Sequence, residues 1–124
     1  MSRDHRKLEA FRLADEFVLE VYELSRHMPR DEIFGLTSQL RRAAVSAAAN
    51  IVEGAARSSE REYVHFLNIA MGSLREAGYH LSLAVRLGMV DQATAAGAED
   101  AYQSAAKTLH GLIKSLKQRP VPPD

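Results

Sequence analysis

The stretch from Leu40 to Gly54, L-R-R-A-A-V-S-A-A-A-N-I-V-E-G, restricts the fold more than any other segment because it is apolar on two sides. At about 100° per residue, Leu36, Leu40, Ala43, Ala44, Ala47 and Ile51 share one helical face. Val45, Ala48, Ala49 and Val52 fall on a second arc roughly 150° away. A polar stripe of Gln39, Arg42, Ser46, Asn50 and Glu53 separates the two. A helix of this kind needs two partners, its own fold and something else. The second arc, Val45, Ala48, Ala49 and Val52, is therefore expected to be an oligomer interface, where small side chains let helices approach closely. The rival arrangement places this helix centrally in the monomer, covered on both sides; Val45→Glu or Ala48→Glu would then unfold it.

The rest of the chain supplies a single domain. Its 124 residues, 46% apolar and 26% charged, suffice to bury one core, and the composition is that of a globular protein. There is no cysteine, which removes disulfides, thiolate chemistry and Cys-based zinc sites. The charged start M-S-R-D-H-R-K leads into no signal-like apolar run, and no run of about 18 apolar residues occurs, so a cytoplasmic protein with no membrane association is expected. Sixteen basic residues balance sixteen acidic ones, giving no global attraction to nucleic acid or anionic membrane.

Three further helices are legible. Phe11, Ala14, Val18, Val21, Ser25 and Met28 recur at spacings of three and four and predict a first helix over residues 8–28, stopped by Pro29. In the turn that follows, Asp31 or Thr37 is placed to cap the second helix, which runs to about Ala55. Ser59 and Glu62 form a capping box opening the third helix, with Tyr63, Phe66, Leu67, Ala70, Leu74, Ala77, Leu81, Ala84 and Val85 on its core face and Gly88 at its end. Gly72 and Gly78 inside it mark expected close backbone approaches. Asp91 can cap a fourth helix, whose seam is Ala98, Tyr102, Ala105, Leu109, Leu112 and Leu116, while residues 92–97 are weak enough to fray or form a separate turn. Short loops between four amphipathic helices predict an all-α, antiparallel, up-down-up-down four-helix bundle. Residues 1–6 and 119–124 are expected to be flexible tails.

No catalytic residue, cofactor or metal site emerges. A di-metal carboxylate centre draws ligands from all four helices, yet only Glu62 and His65 show the Glu-x-x-His spacing. His27, His80 and His110 are isolated from other ligand types, apart from Glu76 one turn before His80. Nucleophile elbows and glycine-rich phosphate loops are absent from the sequence. Two basic groupings remain: Arg41, Arg42, Arg57 and Arg61 around the second turn, and Lys107, His110, Lys114 and Lys117 on the solvent side of the fourth helix. Lys107, Lys114, Lys117, Arg57 and Arg61 are candidate nucleic-acid contacts to phosphate. Folding the second and third helices as an antiparallel hairpin puts Arg42 opposite the Ser73 to Glu76 region and Glu53 opposite Glu62. Arg42 and Glu76 are expected to form a partly buried pair that fixes register.

The strings F-R-L-A, M-P-R-D-E-I-F-G-L-T-S-Q-L-R-R-A-A-V-S-A-A-A-N-I-V-E-G and E-Y-V-H-F-L-N-I-A-M-G-S-L-R-E-A-G-Y-H-L resemble the four-helix-bundle family first described as proteins encoded in 23S rRNA intervening sequences. The most specific pieces are Gln39 to Ala43, Ser46, Asn50-Ile51, Glu53-Gly54, Gly72-Ser73 and Glu76. The resemblance implies a bacterial, cytoplasmic homopentamer without enzymatic activity. It also implies kinship to the accessory protein of diversity-generating retroelements, a basic pentamer that binds nucleic acid and a reverse transcriptase; the neutral charge here departs from that relative. The resulting expectation is a non-enzymatic homo-oligomeric scaffold binding RNA, DNA or a nucleic-acid-associated protein. The alternative is a protein-protein interaction module without nucleic acid.

Overall fold

Each run of three- and four-residue apolar spacing folds as a helix in a computed structural model, which describes residues 3–5 and 8–119. The helices are α1 (Glu9–Ser25), α2 (Leu36–Ala55), α3 (Glu60–Arg86) and α4 (Gln92–Lys117), with a 3-10 turn over Arg30–Glu32. No strand occurs among the described residues.

Local chemistry sets the boundaries. The last regular residue of α1 is Ser25, and Arg26, His27 and Met28 continue as a tighter turn whose amides bond to Glu23, Leu24 and Ser25. The start of α2 corrects the expected cap: neither Asp31 nor Thr37 serves. Gly35 occupies the N-cap, and the Glu32 carboxylate accepts the Leu36 amide at 3.0 Å. Thr37 instead points inward, its hydroxyl 3.8 Å from the Met28 sulfur. Ser59 caps α3 by accepting the Glu62 amide at 3.1 Å, and Gly88, at φ +73°, ends it in the left-handed region that favours glycine. Asp91 accepts the Thr94 amide at 2.7 Å. With that cap and with Ala95 and Ala98 buried, α4 is continuous from Gln92, and the separate turn expected over residues 92–97 does not form.

Each helix packs against its two neighbours in the order α1, α2, α3, α4 and back to α1, and no diagonal pair touches among the described residues. Side-chain pairs make every neighbour antiparallel. Ser46 meets Ser73 and Arg42 meets Glu76 across α2 and α3, while Ser25 meets Arg41 across α1 and α2. Phe17 meets Tyr102 across α1 and α4, and Gly78 meets Tyr102 across α3 and α4. The core is built from Phe17, Val21, Leu40, Ile51, Tyr63, Leu67, Leu74, Leu81 and Leu109, with alanines 43, 44, 47, 70 and 77 between them. Each large aliphatic side chain buried this way contributes roughly 1.5–3 kcal/mol.

Small residues bring the helices close at particular points. A Cβ on Gly54 would lie 2.9 Å from the Phe66 Cβ, and one on Gly78 would lie 2.5 Å from the Tyr102 ring. Gly72 differs from expectation: nothing lies within 4 Å of its Cβ position, so no backbone approaches there. Of the stretches expected to be flexible, Arg3 is docked, its amide on the Ala55 carbonyl at 2.7 Å and its guanidinium over the Tyr63 ring. Arg119 pairs with Glu60 at 2.9 Å. Residues 1, 2, 6 and 120–124 of those stretches lie outside the described residues.

Candidate interaction surface

The two arcs of α2 separate differently from the expectation at one position. Val45 is 41% exposed, Ala49 is exposed and Val52 is half-buried. Ala48, expected with them on the interface, is only 8% exposed and belongs to the core. It sits on the flank that carries Thr37, Ala44 and Ala55, roughly 100° around from Ala47, and α1 packs over that flank. The outer ridge of α2 is thus Val45, Ala49 and Val52. Arg41 and Arg42 flank its N-terminal end. Arg41 donates to the Ser25 hydroxyl at 2.8 Å and lies over the Tyr22 ring, with no carboxylate partner among the described residues.

On the α3 side of the ridge, the polar stripe forms a ladder along the α2/α3 seam. Arg42 donates to Gln39 at 2.8 Å and to Glu76 at 3.0 Å. His80 lies 3.1 Å from the same Glu76 oxygen. Lower on the seam the Ser46 and Ser73 hydroxyls are 2.9 Å apart, and Asn50 donates to the Ser46 carbonyl at 2.9 Å. The hydrogen bond to His80, and then the Arg42 charge, hold the Glu76 carboxyl below its ordinary range. The expected burial of the Arg42–Glu76 pair is corrected: the side chains are 62% and 43% exposed, because both lie at the outer rim of the seam. Glu53 does not meet Glu62; it pairs with Arg57 one turn on, while Glu62 completes the Ser59 cap.

The candidate nucleic-acid contacts form two groups. Lys107, Lys114 and Lys117 are exposed on α4 and have no carboxylate partner among the described residues. Lys114 and Lys117 border a shallow groove with His110, Asn68, Met71 and Ile113. Arg57 is tied to Glu53 and lies over the Phe66 ring, whereas Arg61 is exposed. The Arg119–Glu60 bridge puts the C-terminal end of α4 beside the start of α3, so Lys114 and Lys117 share an end of the bundle with Arg57 and Arg61, while Lys107 stands near mid-height of α4. No cluster of three or more metal-ligand side chains occurs among the described residues, and Glu62 and His65 have no third partner of that kind. No helix of the described residues is long and apolar enough to cross a membrane.

One exposed feature escaped the sequence reading. Phe34 is 96% exposed and Ile33 47% exposed, between the 3-10 turn and α2. Apolar periodicity cannot flag them, because they lie outside any helix; the only signal is the apolar pair Ile33-Phe34 between the charged residues Arg30, Asp31 and Glu32 and Gly35.

A sequence model of the 23S rRNA-intervening sequence protein family matches residues 6–111. The chain belongs to that family. Its family match spans the α2 ridge and the α2/α3 ladder, whereas Lys114 and Lys117 lie beyond it. A crystal structure of a protein of unknown function from the S23 ribosomal protein family of Bacteroides thetaiotaomicron VPI-5482 shares the fold. Its TM-score is 0.77 at 24% identity, over 85% of this chain and 98% of that one. The comparison with curated proteins gave no match.

Proposed function

We propose that this member of the 23S rRNA-intervening sequence family is a non-enzymatic scaffold that works as a homo-oligomer, with the outer ridge of α2 as a subunit contact. The observation that carries this reading is the apolar ridge of Val45, Ala49 and Val52, with Val45 41% exposed, on a helix whose other side is already filled by the core. Burial of such a ridge is favourable at roughly 25 cal/mol per Å² before association costs, and its small side chains permit close packing. A ring of five is the size expected from the family resemblance. The test is light scattering of the wild type and of Val45→Glu. The wild type should be oligomeric at micromolar concentration and the variant a smaller species of unchanged helicity. A monomeric wild type overturns the reading.

A second function, contact with nucleic acid, is favoured by the exposed lysine edge of α4, where Lys107, Lys114 and Lys117 lack carboxylate partners among the described residues. Such an edge contacts phosphates without reading bases. With no net charge on the chain, any such attraction is local to a basic patch of this kind.

A further inference from the structure

The ridge of α2 has a counterpart on another side of the bundle. Between α1 and α4 runs an open groove of about 490 Å³ with Leu13, Leu19 and Ala101 as its apolar lining and Glu16, Glu20 and Asp100 on its rim. Glu16 is engaged by Arg12 at 2.7 Å, but Glu20 and Asp100 form no ion pair among the described residues. A groove with an apolar lining and acidic rim suits an apolar ridge flanked at one end by Arg41, which has no carboxylate partner among the described residues, whereas Arg42 beside it is already held by Glu76.

The heights of the two features along the bundle also agree. Thr37 lies against Met28, and Arg41 lies against Ser25 and Tyr22. Moving along these antiparallel helices at equal rise brings Val45 level with Glu20, Ala49 with Glu16 and Val52 with Leu13. On α4, Gly97 sits beside Glu20 and Tyr102 beside Phe17, so Ala101 is close to the level of Ala49. A ridge from one bundle therefore reaches the groove of the next when the two stand side by side, pointing the same way, with no shift along the axis.

We infer that the α1/α4 groove receives the outer ridge of α2, Val45, Ala49 and Val52, from a second copy of this chain. This rests on the self-association proposed above and adds the surface that the ridge meets. The contact joins two different faces, so it is heterologous, and repetition without axial rise closes a ring instead of extending a filament. Opposite charge at ridge and rim selects this pairing and its direction.

The absence of cysteine makes a clean test available. Ala49→Cys and Ala101→Cys are made in separate chains, mixed under subunit exchange and oxidised with diamide; the doubly substituted chain is oxidised in parallel. The expected result is a disulfide joining the two variants, and for the double variant a ladder of covalent multimers that stops at the ring size. If Ala49→Cys chains link only to each other, α2 meets α2 across a two-fold axis. The groove pairing is then overturned while self-association stands. An oligomer by light scattering that forms no disulfide between the two variants also overturns the pairing. A monomeric wild type overturns both.

Discussion

Arg42 on α2 donates to the Glu76 carboxylate on α3 at 3.0 Å, with the two side chains 62% and 43% exposed. His80 shares the same carboxylate oxygen at 3.1 Å, so one anion serves a cation from the facing helix and an imidazole from its own. The position at the rim decides the energetics. A solvated pair is screened, and its coupling is expected at about 0.2–1 kcal/mol, well below the roughly 3–5 kcal/mol lost when a buried pair is broken. A double-mutant cycle with Arg42→Ala and Glu76→Ala, followed by urea denaturation, measures it. Coupling above about 2 kcal/mol would mean that assembly buries the pair.

Two glycines of the α2/α3 hairpin should respond in opposite directions to alanine. Gly54→Ala places a Cβ 2.9 Å from the Phe66 Cβ and 3.3 Å from the Tyr63 carbonyl oxygen, so the helices must part. Overpacking of this kind destabilises by about 1–3 kcal/mol, more than the gain in helix propensity returns. Gly72→Ala meets open space and should stabilise by roughly 0.5–1 kcal/mol. Denaturation midpoints of the two variants check the signs.

Neighbouring residues on α2 should fail in different ways. Ala48→Glu puts a carboxylate where only 8% of the residue is exposed, against α1, and should abolish the cooperative thermal transition. Val45→Glu, at 41% exposure, should leave the circular dichroism and the melt of the subunit intact while reducing particle size. Unfolding by both substitutions would place the ridge inside the monomer's own core and remove it from the interface.

Replacing Lys107, Lys114 and Lys117 with glutamine together should weaken binding to RNA or DNA irrespective of sequence. It should also reduce the slope of log affinity against log salt by about 2 to 3 units. Fluorescence anisotropy across a salt series measures both. An unchanged slope would move the contact to Arg57 and Arg61, and no binding by the wild type at low salt would end the nucleic-acid reading.

Asp91 gives the start of α4 a defined pH response. Hydrogen bonds from Thr94 lower its pKa in the folded state, so the carboxylate stabilises the cap above the ordinary carboxylate range. That contribution is fully present at neutral pH and is lost as pH falls through the ordinary carboxylate range and then through the lowered pKa. An asparagine side chain accepts the same amide hydrogen bond without carrying a charge. Asp91→Asn should therefore keep near-native stability at pH 7 and flatten the loss of stability on acidification. Chemical denaturation from about pH 7 to about pH 3 checks this. An equally steep acid loss in the variant would assign the response to other carboxylates, Glu76 among them.

The helices, their order and most of the core were legible because three- and four-residue spacing is strong wherever Leu, Ile and Phe recur, and Ser59 and Asp91 carry their cap chemistry locally. The side assignment of Ala48 was not legible. A residue roughly 100° from the core direction is covered or left bare according to where the neighbouring helix sits, and one helix's periodicity does not contain that. The register of Arg42 against Glu76 followed from the turn between α2 and α3, but its exposure depends on how far apart the helices stand at that seam. Phe34 was hidden for a different reason: a turn residue has no repeat to be judged against. The α1/α4 groove joins residues some 80 to 90 positions apart and has no sequence signature at all.

Three of the four helix contacts join segments consecutive in the chain, and only α1 against α4 spans nearly its whole length. Local hairpins need little loop closure, so α1/α2, α2/α3 and α3/α4 can assemble early and fast. Closing the α1/α4 seam, where Phe17 meets Tyr102, carries the largest loop-closure cost of the four and is therefore expected last. Because that same seam forms the acid-rimmed groove, the docking site proposed for a second copy would be unfinished in a chain still on the ribosome or only partly folded. Assembly would thus be withheld until each subunit is complete.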